Sequence, residues 1–136
     1  MSDPAQHAPQ RDAETSRFQE ILSTLERATR GFVAAVFFDN EGETIDYHSY
    51  LDPYSTRLVA AHHGVTFQSL VHRMDWLAGG SMLRLDIVTA EMETTTLPLG
   101  EGLFLTVCLK RDDQREDIEP VLATVIVELR EECGLG

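Results

Sequence analysis

Few side chains in this sequence have the type and spacing to do chemistry. They are His48, His62, His63 and His72, the hydroxyls of Ser49 and Ser69, the carboxylates Glu91 and Glu93, and the thiols Cys108 and Cys133. His62 and His63 are adjacent, so on a helix they point about 100° apart, and no pair has the four-residue spacing that sets two imidazoles on one face. Structural or interface roles are therefore expected for the histidines, and no metal site. Neither serine is flanked by a nucleophile elbow or an oxyanion-forming glycine motif. Glu91 and Glu93 fall in an expected turn, where solvated charge is the simpler reading. Gly79-Gly80-Ser81 lacks the lysine of a phosphate-binding loop, and Lys110, the only lysine, lies at a strand end. No catalysis and no cofactor are expected; a nucleotide, if involved, would be carried by a partner. Two cysteines are too sparse for a disulfide framework and read as reduced structural thiols.

The chemistry therefore has to lie in surfaces. With 136 residues, 43% of them hydrophobic, the chain is long enough for one domain with a real core. A net charge of -12 and a pI near 4.6 argue against nucleic acid or an anionic membrane as partner. No apolar run is long enough to span a bilayer, and Met1 to Glu14 has no signal-peptide core. A cytoplasmic location is expected. Residues 1–13, polar and proline-containing, read as a disordered tail, and 14–136 as a single domain.

One element organises that domain. Asp52-Pro53 supplies an N-cap and a proline in the first turn, and Gly79-Gly80 supplies a stop, which predicts a long helix between them. Projected at 100° per residue, its apolar side chains form two groups. The wide face carries Val59, Ala60, Phe67, Leu70, Val71, Met74 and Leu77. The narrow face carries Tyr54, Leu58, Ala61, Val65 and Trp76, with Ser69 and His72 among them. Arg57 and Arg73 lie in the polar seams between. One sheet can cover one face only. On the narrow face Ala61, Val65 and Ser69 are small enough for another helix to approach, with the aromatics as anchors.

The flanking elements follow from pattern. Ser16, with Gln19 completing a capping box, starts an amphipathic helix carrying Phe18, Ile21, Leu22, Leu25 and Ala28, and Gly31 stops it. Phe32 to Phe38 reads as a strand buried on both faces. Asp39 to Gly42 is a turn, and Glu43 to Ser49 alternates as a strand nearer an edge. Met82 to Ala90 alternates again, with Leu83, Leu85 and Ile87 on one side. Thr94 to Leu99 is a short strand that Pro98 demotes to a flanking position. After the turn Gly100-Glu101-Gly102, Leu103 to Leu109 is a second buried strand. A last helix, regular from about Asp117 or Ile118, carries the stripe Ile118, Val121, Leu122, Val125, Ile126 and Leu129. The residues thus predict a sheet centred on the two apolar strands, with helices on both sides.

The segment Phe32 to Tyr47, FVAAVFFDNEGETIDY, and the stretch Met82 to Leu109, ending in TTTLPLGEGLFLTVCL, resemble the roadblock/dynein light chain family. The resemblance runs from about Arg17 to Glu132. It implies an α+β fold of order α-β-β-α-β-β-β-α, with a five-stranded antiparallel sheet. The long helix would lie on one face, and the N- and C-terminal helices on the other. It also implies a noncatalytic dimer built by packing the long helices, here Pro53 to Ala78, and pairing the third strands, here Met82 to Ala90. The expected dimer interface is then Tyr54, Leu58, Ala61, Val65, Ser69, His72 and Trp76 with Leu83, Leu85 and Ile87. The other subunit would be this chain or a related roadblock protein.

Many bacterial members of the family resemble regulators of small Ras-like GTPases that control motility or polarity. Such a GTPase, or another signalling protein, is the implied partner, met by Arg57, His62 and Arg73. No long extension follows the last helix, a departure from the motility-type activators. The alternative reading is a small-molecule sensor with a largely apolar pocket enclosed by the sheet and its helices, in which Thr106 and Cys108 would be the only polar groups offered by the buried strands.

Overall fold

The computed structural model describes residues 8–136 except 78 and 113. Helix α1 (Arg17–Ala28) begins where the Ser16 hydroxyl accepts the Gln19 backbone N–H at 3.1 Å. The second half of the capping box is not made: the Gln19 amide reaches the His48 Nδ1 instead, at 3.0 Å. Strands β1 (Phe32–Asp39) and β2 (Thr44–Ser49) form the first hairpin. Helix α2 (Pro53–Trp76) starts as its sequence predicts, with the Asp52 carboxylate accepting the Ser55 N–H at 2.8 Å. It ends at Leu77, and Gly80 follows at φ +80°. Ala78, expected as its last residue, lies outside the described residues. Then come β3 (Leu85–Val88), β4 (Met92–Gly100), β5 (Leu103–Lys110) and α3 (Glu119–Glu132).

The five strands form one antiparallel sheet in the order β2-β1-β5-β4-β3, so the two continuous apolar runs are central neighbours. Alternation along β1 divides the core. Ala35 and Phe37 join Leu105 and Val107 on one face, under the Ile21, Leu22 and Leu25 stripe of α1 and the Leu122, Val125 and Leu129 stripe of α3. Val36 and Phe38 join Phe104 on the other, under Ala60 and Phe67 of α2. This is the α+β arrangement expected above, with one helix on one face and two on the other.

Several expectations are corrected. The third strand is only Leu85–Val88, so Leu83 lies outside it and is exposed. The fourth starts at Met92, which places Glu93 in the ladder opposite Leu109 and leaves Glu91 in the preceding bend. Pro98 is tolerated because the β3–β4 pairing stops at Leu85, opposite Thr96, and beyond it β4 has β5 alone as neighbour. Leu77 belongs to no buried face: it is 59% exposed.

The stripe of α2 that is fully buried is Thr56, Ala60, Gly64 and Phe67. Its small members let the helix lie close. A Cβ on Gly64 would stand 3.1 Å from a ring carbon of Phe38, and one on Gly42 would stand 3.1 Å from the Ala61 Cα. Burial of Thr56 leaves no polar group unsatisfied, because its hydroxyl bonds that of Ser49 at 2.7 Å and the Asp52 carbonyl at 2.9 Å.

The stretch read as a tail divides in two. Residues 1–7 lie outside the described residues, whereas Gln10 to Asp12 run along β2. The Gln10 N–H donates to the Ser49 carbonyl at 2.8 Å, and the Arg11 guanidinium to the Tyr47 carbonyl at 2.9 Å.

Candidate protein-interaction surface

The outer face of α2 carries Tyr54, Leu58, Ala61, Val65, Ser69, His72 and Trp76 at separations of 4, 3, 4, 4, 3 and 4 residues, the spacing of a seam along one side of a helix. Trp76 is 85% exposed, Tyr54 71% and Val65 69%; Leu58 is less so, and Ala61 is half-buried. Large apolar groups scattered singly over a surface need no explanation, but aligned along one helix they form a patch. Of the cationic and imidazole groups beside the seam, His62, His72 and Arg73 are exposed. Arg57 is engaged within the chain: its two terminal nitrogens hold the Asp12 carboxylate at 2.8 and 2.9 Å.

At the far end of the sheet β3 pairs with β4 only, so its outer edge is open. Leu85 and Ile87 are half-buried on its inner side. A salt link of Arg84 with Asp86 and Glu119 ties the strand to the start of α3. Between the β1–β2 turn and α2 lies an open groove of about 690 Å³, lined by Asn40, Glu41, Gln68, His72 and Arg73 among others. The space between the sheet and α2, one place for the apolar pocket of the alternative reading, is occupied by aromatic rings. Phe38 stacks on Phe104 at 5.6 Å, and Phe67 meets Phe104 edge-on at 5.3 Å. Thr106, one of the two polar groups such a pocket could have used, is bonded to Thr96 at 2.8 Å. The other, Cys108, is a buried free thiol whose pKa burial pushes up to about 12. Among the described residues no group of three or more His, Cys, Asp or Glu side chains is placed to hold a metal ion.

The fold is shared with solved structures. A roadblock/LC7 domain from Streptomyces avermitilis superposes with a TM-score of 0.76 at 19% identity, covering 88% of this chain and 99% of that one. The chain has the roadblock fold. MglB of Myxococcus xanthus gives 0.75 at 10% identity, over 90% of this chain and 98% of that one. The gliding protein MglB of Thermus thermophilus gives 0.72 at 13% identity, over 100% and 96%. No protein-family model matches the sequence. No curated protein matches it either.

One polar cluster of this roadblock fold departs from the sequence expectation. Asp46 and His48, on one side of the strand expected to alternate near an edge, are 8% and 4% exposed. Helix α1 and residues 10–12 cover them. The Gln19 amide nitrogen can only donate, so the His48 Nδ1 accepts and its Nε2–H donates to Glu26, at 2.7 Å. Tyr50 donates to the other Glu26 oxygen. Desolvation works against the Glu26 carboxylate, but the bonds from Tyr50 and His48 outweigh it and hold its pKa below the usual range. The same bond to Glu26, together with burial, raises the Tyr50 phenol to about 12. Asp46 is held by Arg11 at 2.8 Å and by the Ser16 hydroxyl. No signal local to β2 marks this burial, because the partners come from α1, its N-cap and residues 10–12. His63, by contrast, sits between the Val59 carbonyl and the Thr94 hydroxyl at 2.9 and 3.2 Å, and burial lowers its pKa.

Proposed function

We propose that residues 14–136 act as a cytoplasmic, noncatalytic interaction domain that dimerises and, as a dimer, binds or regulates a Ras-like small GTPase of the polarity or motility type. The observation that carries the reading is the outer seam of α2. A single subunit leaves Tyr54, Val65 and Trp76 in water along one line, with small residues between them. Packing against a second α2, from this chain or a related roadblock protein, would bury that line. The open β3 edge would extend the sheet across the same two-fold axis, with Leu83, Leu85 and Ile87 at the junction. The likeness to MglB, described as a gliding protein in Thermus, supports a motility or polarity setting.

In such a dimer the exposed His62 and Arg73 flank the seam and would meet the GTPase. Arg57 would join them only after leaving Asp12. Light scattering on the purified protein tests the first step. The native chain is expected to be a dimer at micromolar concentration, and Ala61→Glu, or Val65→Glu at the more exposed position, a folded monomer. A variant dimer as tight as the native one would remove the seam from the interface. Failure of a GTPase to co-purify in both its GDP-bound and GTP-bound forms would count against the second step alone.

A further inference from the structure

Gln10, Arg11 and Asp12 are held by groups of three different kinds. They occupy three subsites of different chemistry, two on β2 and the third between β2 and α2. The Ser49 carbonyl accepts a backbone N–H, at 2.8 Å from Gln10. One residue on, the Asp46 carboxylate takes a cation, at 2.8 Å from Arg11, both side chains being largely buried. One residue further, an anion is held by three donors: the Arg57 guanidinium at 2.8 and 2.9 Å and the Tyr47 hydroxyl at 2.6 Å. Both guanidinium groups lie over the Tyr47 ring, that of Arg11 at 5.2 Å and that of Arg57 at 5.6 Å from its centre. Upstream of this row, Phe32, Val33 and Leu51 line an open groove of about 480 Å³ that Gln10 borders.

We infer that this row is a docking site for an extended segment of a partner protein carrying a cation followed directly by a carboxylate, and that the chain's own residues 10–12 occupy it in the free subunit. The residues that would be left behind form a preset surface. Asp46 keeps its bond from Ser16, Tyr47 and Arg57 belong to regular elements, and β2 is an edge strand able to pair with an added chain. The occupying segment forms no ladder of its own. Its carboxylate pair with Arg57 is also half-exposed on both sides, the kind of contact that exchanges readily with an equivalent one. A cation and an anion side by side carry no net charge, so a surface of net charge -12 does not repel such a segment as it would a run of acids. Because Arg57 adjoins Leu58, a partner lying on the outer seam of α2 could place this segment at high effective concentration, yet the site does not depend on what covers that seam.

The test uses the full chain and a fluorescent peptide of residues 8–15 added in trans. In Arg11→Ala/Asp12→Ala the intramolecular occupant is disarmed while Asp46, Tyr47 and Arg57 remain. Anisotropy titration is expected to show binding at least about tenfold tighter to this variant than to the native chain. That gain is expected to disappear on adding Arg57→Ala, and with a peptide whose aspartate is replaced by asparagine. The peptide is also expected to raise the melting temperature of the double variant. Should the double variant not fold, Asp12→Asn is titrated in its place with the same expectation. Equal binding to variant and native chain, or binding indifferent to Arg57, would overturn the inference and leave residues 10–12 as a structural cover.

Discussion

The two faces of the sheet solve their burial problem differently. On the α1/α3 side two helices bring Ile21, Leu22, Leu25, Leu122, Val125 and Leu129 onto Phe37, Leu105 and Val107, and nearly everything apolar is enclosed. On the other side one 24-residue helix buries fully only Thr56, Ala60, Gly64 and Phe67, and carries Tyr54, Val65 and Trp76 outward. Both faces touch the same strands, so the difference lies in the helices. The contrast separates two jobs: the first face holds the fold, and the second holds α2 at close range while displaying its outer seam.

If that separation is right, substitutions should sort by side. Phe37→Ala, at a fully buried ring of the α1/α3 core, is expected to cost roughly 3–5 kcal/mol in urea unfolding. A cost no larger than that of a surface substitution would break the comparison at its stronger end. Gly64→Val is expected to cost about 1–3 kcal/mol, because the added carbons meet the Phe38 ring where α2 lies closest to the sheet. If α2 is held more loosely than the geometry indicates, the loss will be negligible.

The smallest effect concerns the polar rim of the closed side. Tyr50→Phe removes one hydrogen bond to Glu26 and is expected to cost about 1 kcal/mol. The pH dependence has a definite sign. The folded-state pKa of Tyr50 is raised to about 12, so its contribution is complete below the ordinary phenol value near 10 and is lost as pH rises through about 12. Ultraviolet titration of the phenolate band in the native chain and in Tyr50→Phe checks this. A native Tyr50 ionising at the ordinary value would detach the phenol from Glu26.

Much of this architecture was legible in the sequence because local signals agreed. Asp52-Pro53, Ser16, Gly31 and the Gly-Glu-Gly turn mark boundaries through backbone chemistry that operates over a few residues, and the runs at Phe32 and Leu103 are too apolar to lie anywhere but the centre. The outer seam of α2 was legible for the same reason: its residue types exceed what one sheet face can bury. Less legible was whatever depends on contacts distant in sequence. Asp12 and Arg57 are 45 residues apart, so nothing local to Arg57 reveals that its charge is already matched. Asp46 and His48 alternate as exposed residues do, and only the arrival of α1 and residues 10–12 changes their surroundings. The innermost stripe of α2 escaped notice because two of its members, Thr56 and Gly64, are selected for closeness rather than for hydrophobicity.

Trp76 is the only tryptophan in the chain, and it stands at the outer end of α2 with 85% of its surface in water. Its indole therefore begins in the polar surroundings to which unfolding would take it. For the separate subunit, intrinsic emission is consequently a poor gauge of folding. The same optical signal responds strongly to anything that covers the end of that helix, so the molecule carries a built-in reporter for contact that is nearly blind to its own core.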